Sequence, residues 1–273
     1  MTGAPVATVL IFKEKTVAKT LKRIDAGGIQ IAALYSRRSG REPPRERAAK
    51  QKASSEAQRR MNQIYSYQKL ELMLACNFPT AGSALVGALT FDDKHLPRSR
   101  AEAQQRIRYF LQLLRRERKK AGLPEPVVFW ALEVLTSGRW HVHFVIDSTG
   151  QDLEILRRCW IYGQDIEAEK LRVDDESNHE TLARYMTKEL REAQEYECRP
   201  GLHGWSCTRN ARRPEVETLT VPDDYELTPP EGCTVLIDEN RQTEFASWRV
   251  IKYRFGGESA RTPRARRRRR RRP

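Results

Sequence analysis

Two short motifs hold the residue types that could do chemistry. Trp140-His141-Val142-His143-Phe144 sets two imidazoles two residues apart in a stretch of strand-forming residues. On a strand, a period of two sends both imidazoles to one face and Val142 and Phe144 to the other. Two convergent imidazoles begin a metal site, and a third, hard ligand would suit Mg²⁺ or Mn²⁺. Glu133, on the facing strand, is the obvious donor. A three-residue turn pairs it with His141 on the shared face, whereas a two-residue turn points it away. The second motif is Tyr185-Met186-Thr187-Lys188, within a helical pattern in which Leu182 and Met186 can anchor to a sheet. Tyr185 and Lys188 are three apart and so share a helix face. A tyrosine beside a divalent metal can attack phosphorus, because the metal neutralises the phosphate and the phenol leaves again from the phosphodiester. Lys188 would orient the site or balance its charge. Taken singly, each motif also occurs by chance, on ordinary strands and on ordinary helix surfaces.

The elements that must position these residues are legible in the central part of the chain. Ala84–Phe91 reads as a buried strand. Ser99 and Glu102 form a Ser-x-x-Glu capping box that opens a helix. Ile107, Phe110, Leu111 and Leu114 follow as its core-facing stripe. Arg115, Arg116, Arg118, Lys119 and Lys120 fill the last turns, Gly122 stands at the C′ position and Pro124 blocks continuation. Val127–Leu135 and Trp140–Asp147 read as a hairpin about the Thr136-Ser137-Gly138 turn. A short helix, a strand over Asp165–Val173 and a helix from Asn178 to about Glu195 complete the pattern. The order β-α-β-β-α-β-α predicts an α+β fold, an antiparallel sheet with helices on one face in a ferredoxin-like or RRM-like plan. Upstream, Ser54–Leu74 reads as a helix with Met61, Ile64, Leu70, Met73 and Leu74 on its apolar face, stopped at Asn77-Phe78-Pro79. Val6–Phe12 and Ile29–Leu34 are apolar stretches suited to a small strand pair.

Charge divides the chain differently. Of a net charge of +14 over 273 residues, residues 1–75 carry +9 and residues 261–273 another +9, which leaves −4 on residues 76–260. Arg266–Arg272 is a run of seven arginines that self-repels, so a disordered Arg-rich tail is expected there. Such a tail binds polyanions through phosphate contacts and counterion release, or serves only to solubilise. Arg37–Lys52 (RRSGREPPRERAAKQK) reads as an exposed linker. No apolar run reaches the roughly 20 residues of a membrane span, and Val6–Phe12 lacks the flanks of a signal peptide. Five scattered cysteines, none spaced C-x-x-C, argue for a reducing cytosol and against a disulfide framework. Cys198, His203 and Cys207 have no regularly spaced fourth partner, so zinc is not favoured. Trp205 and Trp248 could stack on bases, although core packing is commoner for a lone Trp. Asp92 and Asp93 end the first strand, where one could approach a metal; loop acids are more often solvated.

Together the two motifs, in this order and on these elements, resemble the HUH endonuclease superfamily. In particular the chain resembles the rolling-circle replication initiator (Rep) proteins of bacterial phages and mobile elements, over roughly residues 54–220. Ala88-Leu89-Thr90-Phe91 resembles the first motif of that family, His141-Val142-His143 its His-hydrophobic-His motif and Tyr185-Met186-Thr187-Lys188 its Tyr-x-x-Lys motif. Trp160-Ile161-Tyr162-Gly163 resembles a Trp-Pro-x-Gly stretch, and Gly204–Arg209 with Pro214 a closing Trp-Ser-x-Ser-Arg…Pro segment in which Cys and Thr stand in altered places. Leu70–Phe78 resembles the helix ending in Asn-Phe. Thr181 and Glu189 occupy the positions four from Tyr185, so no second catalytic tyrosine is expected there. The relaxase branch places its tyrosine before its histidines, which favours the Rep reading.

The resemblance implies that His141, His143 and Glu133 hold Mg²⁺ or Mn²⁺, and that Tyr185 nicks single-stranded origin DNA. The products would be a 5′-phosphotyrosine link and a free 3′-OH primer, with Lys188 assisting. No P-loop occurs, so a host helicase and DNA polymerase are expected partners in a bacterial cytoplasm. DNA would be held by the 115–120 cluster, Arg209, Arg212, Arg213 and the flanks. The expected organisation is a basic N-terminal extension and linker (1–53), an HUH nuclease domain (54–220), a C-terminal extension (221–258) and the Arg-rich tail (259–273). A non-catalytic basic nucleic-acid-binding protein and an HUH single-strand transposase remain the alternatives.

Overall fold

The computed structural model describes residues 18–37, 56–134, 137–173, 178–187, 204–242 and 246–255. Val6–Phe12, the Arg37–Lys52 linker beyond Arg37, Lys188, Cys198, His203 and the Arg-rich tail lie outside the described residues.

The strand–helix–strand order predicted for the central part folds as an antiparallel sheet. It contains β3 (Ala84–Thr90), β4 (Val128–Val134), β5 (Trp140–Asp147), β6 (Ile166–Lys170) and the short β7 (Ser206–Cys207), in the order β6-β3-β5-β4-β7. The last strand of the β-α-β-β-α-β unit lies beside the first, and the third lies between the first and second, which is the ferredoxin-like topology. Its two crossover helices, α2 (Arg100–Lys120) and α3 (Asp152–Cys159), pack on one face as expected. Ile107, Phe110, Leu111 and Leu114 of α2 meet Val142, Phe144, Ile146, Val128 and Leu132 of the sheet there. Each such side chain contributes roughly 1.5–3 kcal/mol when buried.

The ends of α2 follow from its cap residues. The Ser99 hydroxyl accepts from the Glu102 amide at 3.2 Å, while the Glu102 carboxylate reaches back to the Arg98 amide at 2.8 Å. At the other end Gly122, at φ 67°, donates to the Lys119 carbonyl and Leu123 to that of Arg118, a Schellman closure. Arg118 does not join the exposed basic cluster. Its side chain is 1% exposed and ties α2 to the end of β5 and the start of α3, through Asp147 at 2.7 Å and Asp152 at 2.8 Å. Arg115 pairs with Glu125, and Lys120 with Glu117, so the 115–120 cluster is partly consumed within the fold.

The opposite face is not left bare. There α1 (Glu56–Asn77) and α4 (Asn178–Met186) form a second helical layer, with Leu70, Met73, Leu74, Phe78, Ala183 and Met186 against Ala84, Phe129, Ala131 and Val145. α1 starts near the expected position and ends at Asn77, whose side-chain amide donates to Met73 and Arg212 carbonyls and accepts from the Arg212 amide. Met61, expected on the apolar face, is 42% exposed.

The chain's two ends meet in a second five-stranded antiparallel sheet. Here β1 (Lys19–Asp25) and β2 (Gln30–Arg37) join β8 (Glu215–Val221), β9 (Cys233–Gln242) and β10 (Ala246–Phe255), in the order β8-β1-β2-β10-β9. This sheet touches α1 from the side away from the first sheet, through Ala26 and Ile29 against Ala75. α1 is thus held between two sheets, which is why its apolar residues do not form one clean stripe.

Cutting Arg118 back to Ala leaves Asp152, 1% exposed, without its cation. The expected loss of unfolding free energy is about 3–5 kcal/mol, as for other broken buried ion pairs. Urea denaturation of the two proteins checks it, through the shift in midpoint at a common slope.

Candidate active site

The β4–β5 hairpin places Glu133 directly opposite His141, and Ala131 opposite His143. The register is therefore the one in which Glu133 shares the face of both imidazoles. Alternation then puts Val142 and Phe144 in the α2/α3 layer and the two histidines under the α1/α4 side. His143 and Glu133 are buried, at 6% and 7% exposure, and Nε2 of His143 is hydrogen-bonded to a Glu133 carboxylate oxygen. His141 is half-buried. Burial holds its imidazole below the usual pKa, with His143 adding to the effect against the pull of the Glu133 and Glu167 carboxylates. That favours the neutral form, in which an imidazole nitrogen can ligate a metal.

The end of β3 beside His141 is fixed by the Trp160–Gly163 stretch. Thr90 pairs with His141 across the sheet, and its carbonyl accepts from the Trp160 indole at 3.0 Å. Gly163 lies so close to that carbonyl that a Cβ would stand 2.1 Å from its oxygen, so only glycine fits. The Tyr162 carbonyl accepts from the Asp92 amide at 2.9 Å, and the Trp160 ring packs edge-on to Phe91 and Phe110. The tryptophan and the glycine of this motif thus clamp the strand that flanks the histidines.

α4 brings Tyr185 to the same place. Its ring meets that of His143 edge to face, with centroids 4.9 Å apart at 73°. Tyr185 remains 46% exposed, at one wall of a cleft of about 670 Å³ between β6 and α4. Gly87, Ala88, Glu167, Thr181 and Lys170 contribute to the other walls. Lys188, two residues beyond the end of α4, lies outside the described residues.

What holds α4 against the sheet is a set of polar contacts that the sequence reading did not find. Lys252 of β10 is 5% exposed, and its ammonium bonds to Glu71 of α1 at 2.5 Å and to Glu180 of α4 at 3.1 Å. Glu180 also takes Arg184 one turn on, and Arg184 donates to the Tyr67 hydroxyl and lies 4.0 Å over the Tyr67 ring. His179 is buried on the Phe78 carbonyl at 2.8 Å, and its pKa is lowered chiefly by that burial. The Glu180/Arg184 spacing was visible as an i, i+4 pair. Lys252, which comes from the far end of the chain, had no local signal.

Other candidates resolve into structural roles. The Asp92 carboxylate caps the turn at Asp93–His95 and bonds His95, and Asp93 pairs with Arg139, so neither turns to the histidine pair. Trp205 packs on Phe129 and donates to the Ser66 carbonyl, a core position rather than a base-stacking one. Thr208 accepts from the Val128 amide through its hydroxyl, which explains the Ser-Cys-Thr stretch as an edge clasp on β4.

Two imidazoles and one carboxylate on one sheet face are a mixed N,N,O donor set of the kind divalent ions accept. Among the described residues, no three His, Cys, Asp or Glu side chains are drawn together as a metal cage, and Glu133 is engaged with His143 instead.

Residues 84–190 match the family model of the ORF2-type replication-associated proteins. The match begins at the first residue of β3 and runs past α4, so it takes in Glu133, both histidines and Tyr185. It supports a Rep-like replication protein. No curated protein and no solved structure matches the chain. No helix among the described residues is long and apolar enough to cross a membrane.

Replacing Lys252 with Met removes the cation shared by α1 and α4 while keeping the bulk of the side chain. Amide hydrogen exchange in residues 178–187 is expected to accelerate at least tenfold relative to that of β5. Equal acceleration in both would show that Lys252 supports the whole fold instead of the placement of α4.

Proposed function

We propose that this chain is a rolling-circle replication initiator that nicks single-stranded origin DNA with Tyr185 as the nucleophile. The observation that carries the proposal is the edge contact of Tyr185 with His143. Two motifs from separate elements meet at one cleft, inside the segment that matches replication-associated proteins. The Tyr185 oxygen attacks a phosphodiester phosphorus. The new bond is a 5′-phosphotyrosine, the P–O3′ bond breaks, and the phenolic proton is passed on so that the leaving oxygen departs as a 3′-OH. That hydroxyl primes a host polymerase, and a host helicase unwinds.

His141, His143 and Glu133 would hold Mg²⁺ or Mn²⁺, which supplies positive charge at the scissile phosphate. For Glu133 this requires giving up its bond to His143. Lys188, three residues after Tyr185, balances charge on the reacting phosphate. The Lys252–Glu180 contact and the Arg184–Tyr67 contact hold α4 so that the phenol faces the cleft. Such positioning contributes through orientation, since the nucleophile starts near its attack geometry.

Labelled single-stranded oligonucleotides tiling the protein's own element, incubated with and without Mn²⁺, test the reading. A protein–DNA adduct that survives SDS is expected with the wild-type chain and Mn²⁺, and is expected to be lost in Tyr185→Phe and His141→Ala. Salt-sensitive binding with no adduct on any tile would instead establish a non-catalytic binding protein.

A further inference from the structure

The second sheet carries an exposed aromatic row that the nicking chemistry does not use. β2, β10 and β9 set Tyr35, Trp248 and Arg241 side by side across the strands. Trp248 and Lys252 are on the same face of β10 by their even spacing, so the row lies on the α1 side of the sheet, beyond the part that Lys252 fastens to α1. From α1 itself, Tyr65 comes close enough to Tyr35 for the two phenols to influence each other's ionisation. The surfaces are open to solvent, with Tyr35 39% and Tyr65 59% exposed. The Arg241 guanidinium lies over the Trp248 ring, 5.4 Å from its centroid, with 69% of its side chain exposed.

The charge around the row is positive. Lys22 stands on the same face one pair along, and Arg60 is exposed on α1 near Tyr65; Glu239 lies 3.9 Å from Arg241. The chain between β2 and α1, residues 38–55, adds six Lys+Arg against two Glu, and it leaves the sheet two residues after Tyr35.

We infer that this row is a stacking platform for single-stranded DNA, a second hold on the strand that Tyr185 cuts; the inference rests on the proposed single-stranded substrate. Unstacked bases present a π-face to an exposed ring whatever their identity, and a guanidinium on the ring adds a cation for the adjacent phosphate. In duplex DNA the base faces are already stacked on one another, so the platform discriminates between the two forms. The segments that carry the row come from the sheet built by the chain's ends, not from the part that matches replication-associated proteins.

The test measures affinity of the full-length chain for a fluorescein-labelled oligothymidylate of about 20 nucleotides and for a duplex of the same length. Trp248→Ala and Tyr65→Ala are each expected to weaken single-strand binding about tenfold and to leave duplex binding unchanged, while Trp248→Phe stays within about threefold of wild type. Tyr65, exposed on a helix, tests the platform without disturbing the sheet. Unchanged single-strand affinity in both Ala variants overturns the inference, as does an equal loss on duplex. The wild-type adduct assay is a separate arm: an adduct without a platform effect leaves the nicking reading standing, and a platform effect without an adduct removes only the nicking reading.

Discussion

The pairing register of the β4–β5 hairpin is the constraint on which the site depends. With Glu133 opposite His141, one sheet face gathers the carboxylate and both imidazoles, and the other presents Val128, Leu132, Val142 and Phe144 to α2 and α3. A slip of one residue in β4 would exchange its two faces. Glu133 would then enter the apolar layer around Ile107 and Phe110, at the cost of an unpaired buried carboxylate. Because β4 is packed on both faces, the interior that stabilises the sheet also fixes which side chains look into the cleft.

Tyr185 depends on a longer chain of contacts. It sits on a nine-residue helix, too short to be stable alone, and its position is set by what the helix touches. α1 is the hub. One side of it packs on the sheet that bears the histidines, another on the sheet built by the chain's ends, and Glu71 between them takes Lys252, which also reaches Glu180. The second sheet is therefore part of the device that orients the tyrosine. Its other contribution, the row of Tyr35, Trp248 and Arg241, places a single-strand contact on a body rigidly tied to the nicking helix.

What was legible in the sequence is what local pattern encodes. The period-two histidines, the Ser99 cap, the α2 stripe and the Gly122 stop each announce themselves within a few residues, and the ferredoxin-like order follows from their sequence. The helix layer on the second face was missed because α1 is apolar on two sides and so lacks a single stripe. The closing sheet was missed because β1 and β2 find their partners about two hundred residues later, in strands rich in charged residues. Lys252 and Arg118 read as surface cations by composition, and only tertiary partners show that they are buried. Trp205 and Trp248, which look alike in the sequence, part company in the fold: one fills the core and the other lies under Arg241 at the surface.

The central claim is that the Tyr185 oxygen becomes bonded to DNA phosphorus. The most direct test digests the adduct formed on an origin oligonucleotide with nuclease and protease, then locates the residual nucleotide by peptide mass spectrometry. The account predicts a single modified peptide, carrying the nucleotide on Tyr185 through a 5′-phosphate. A nucleotide on any other residue, or a nicked strand with no modified peptide, would contradict it.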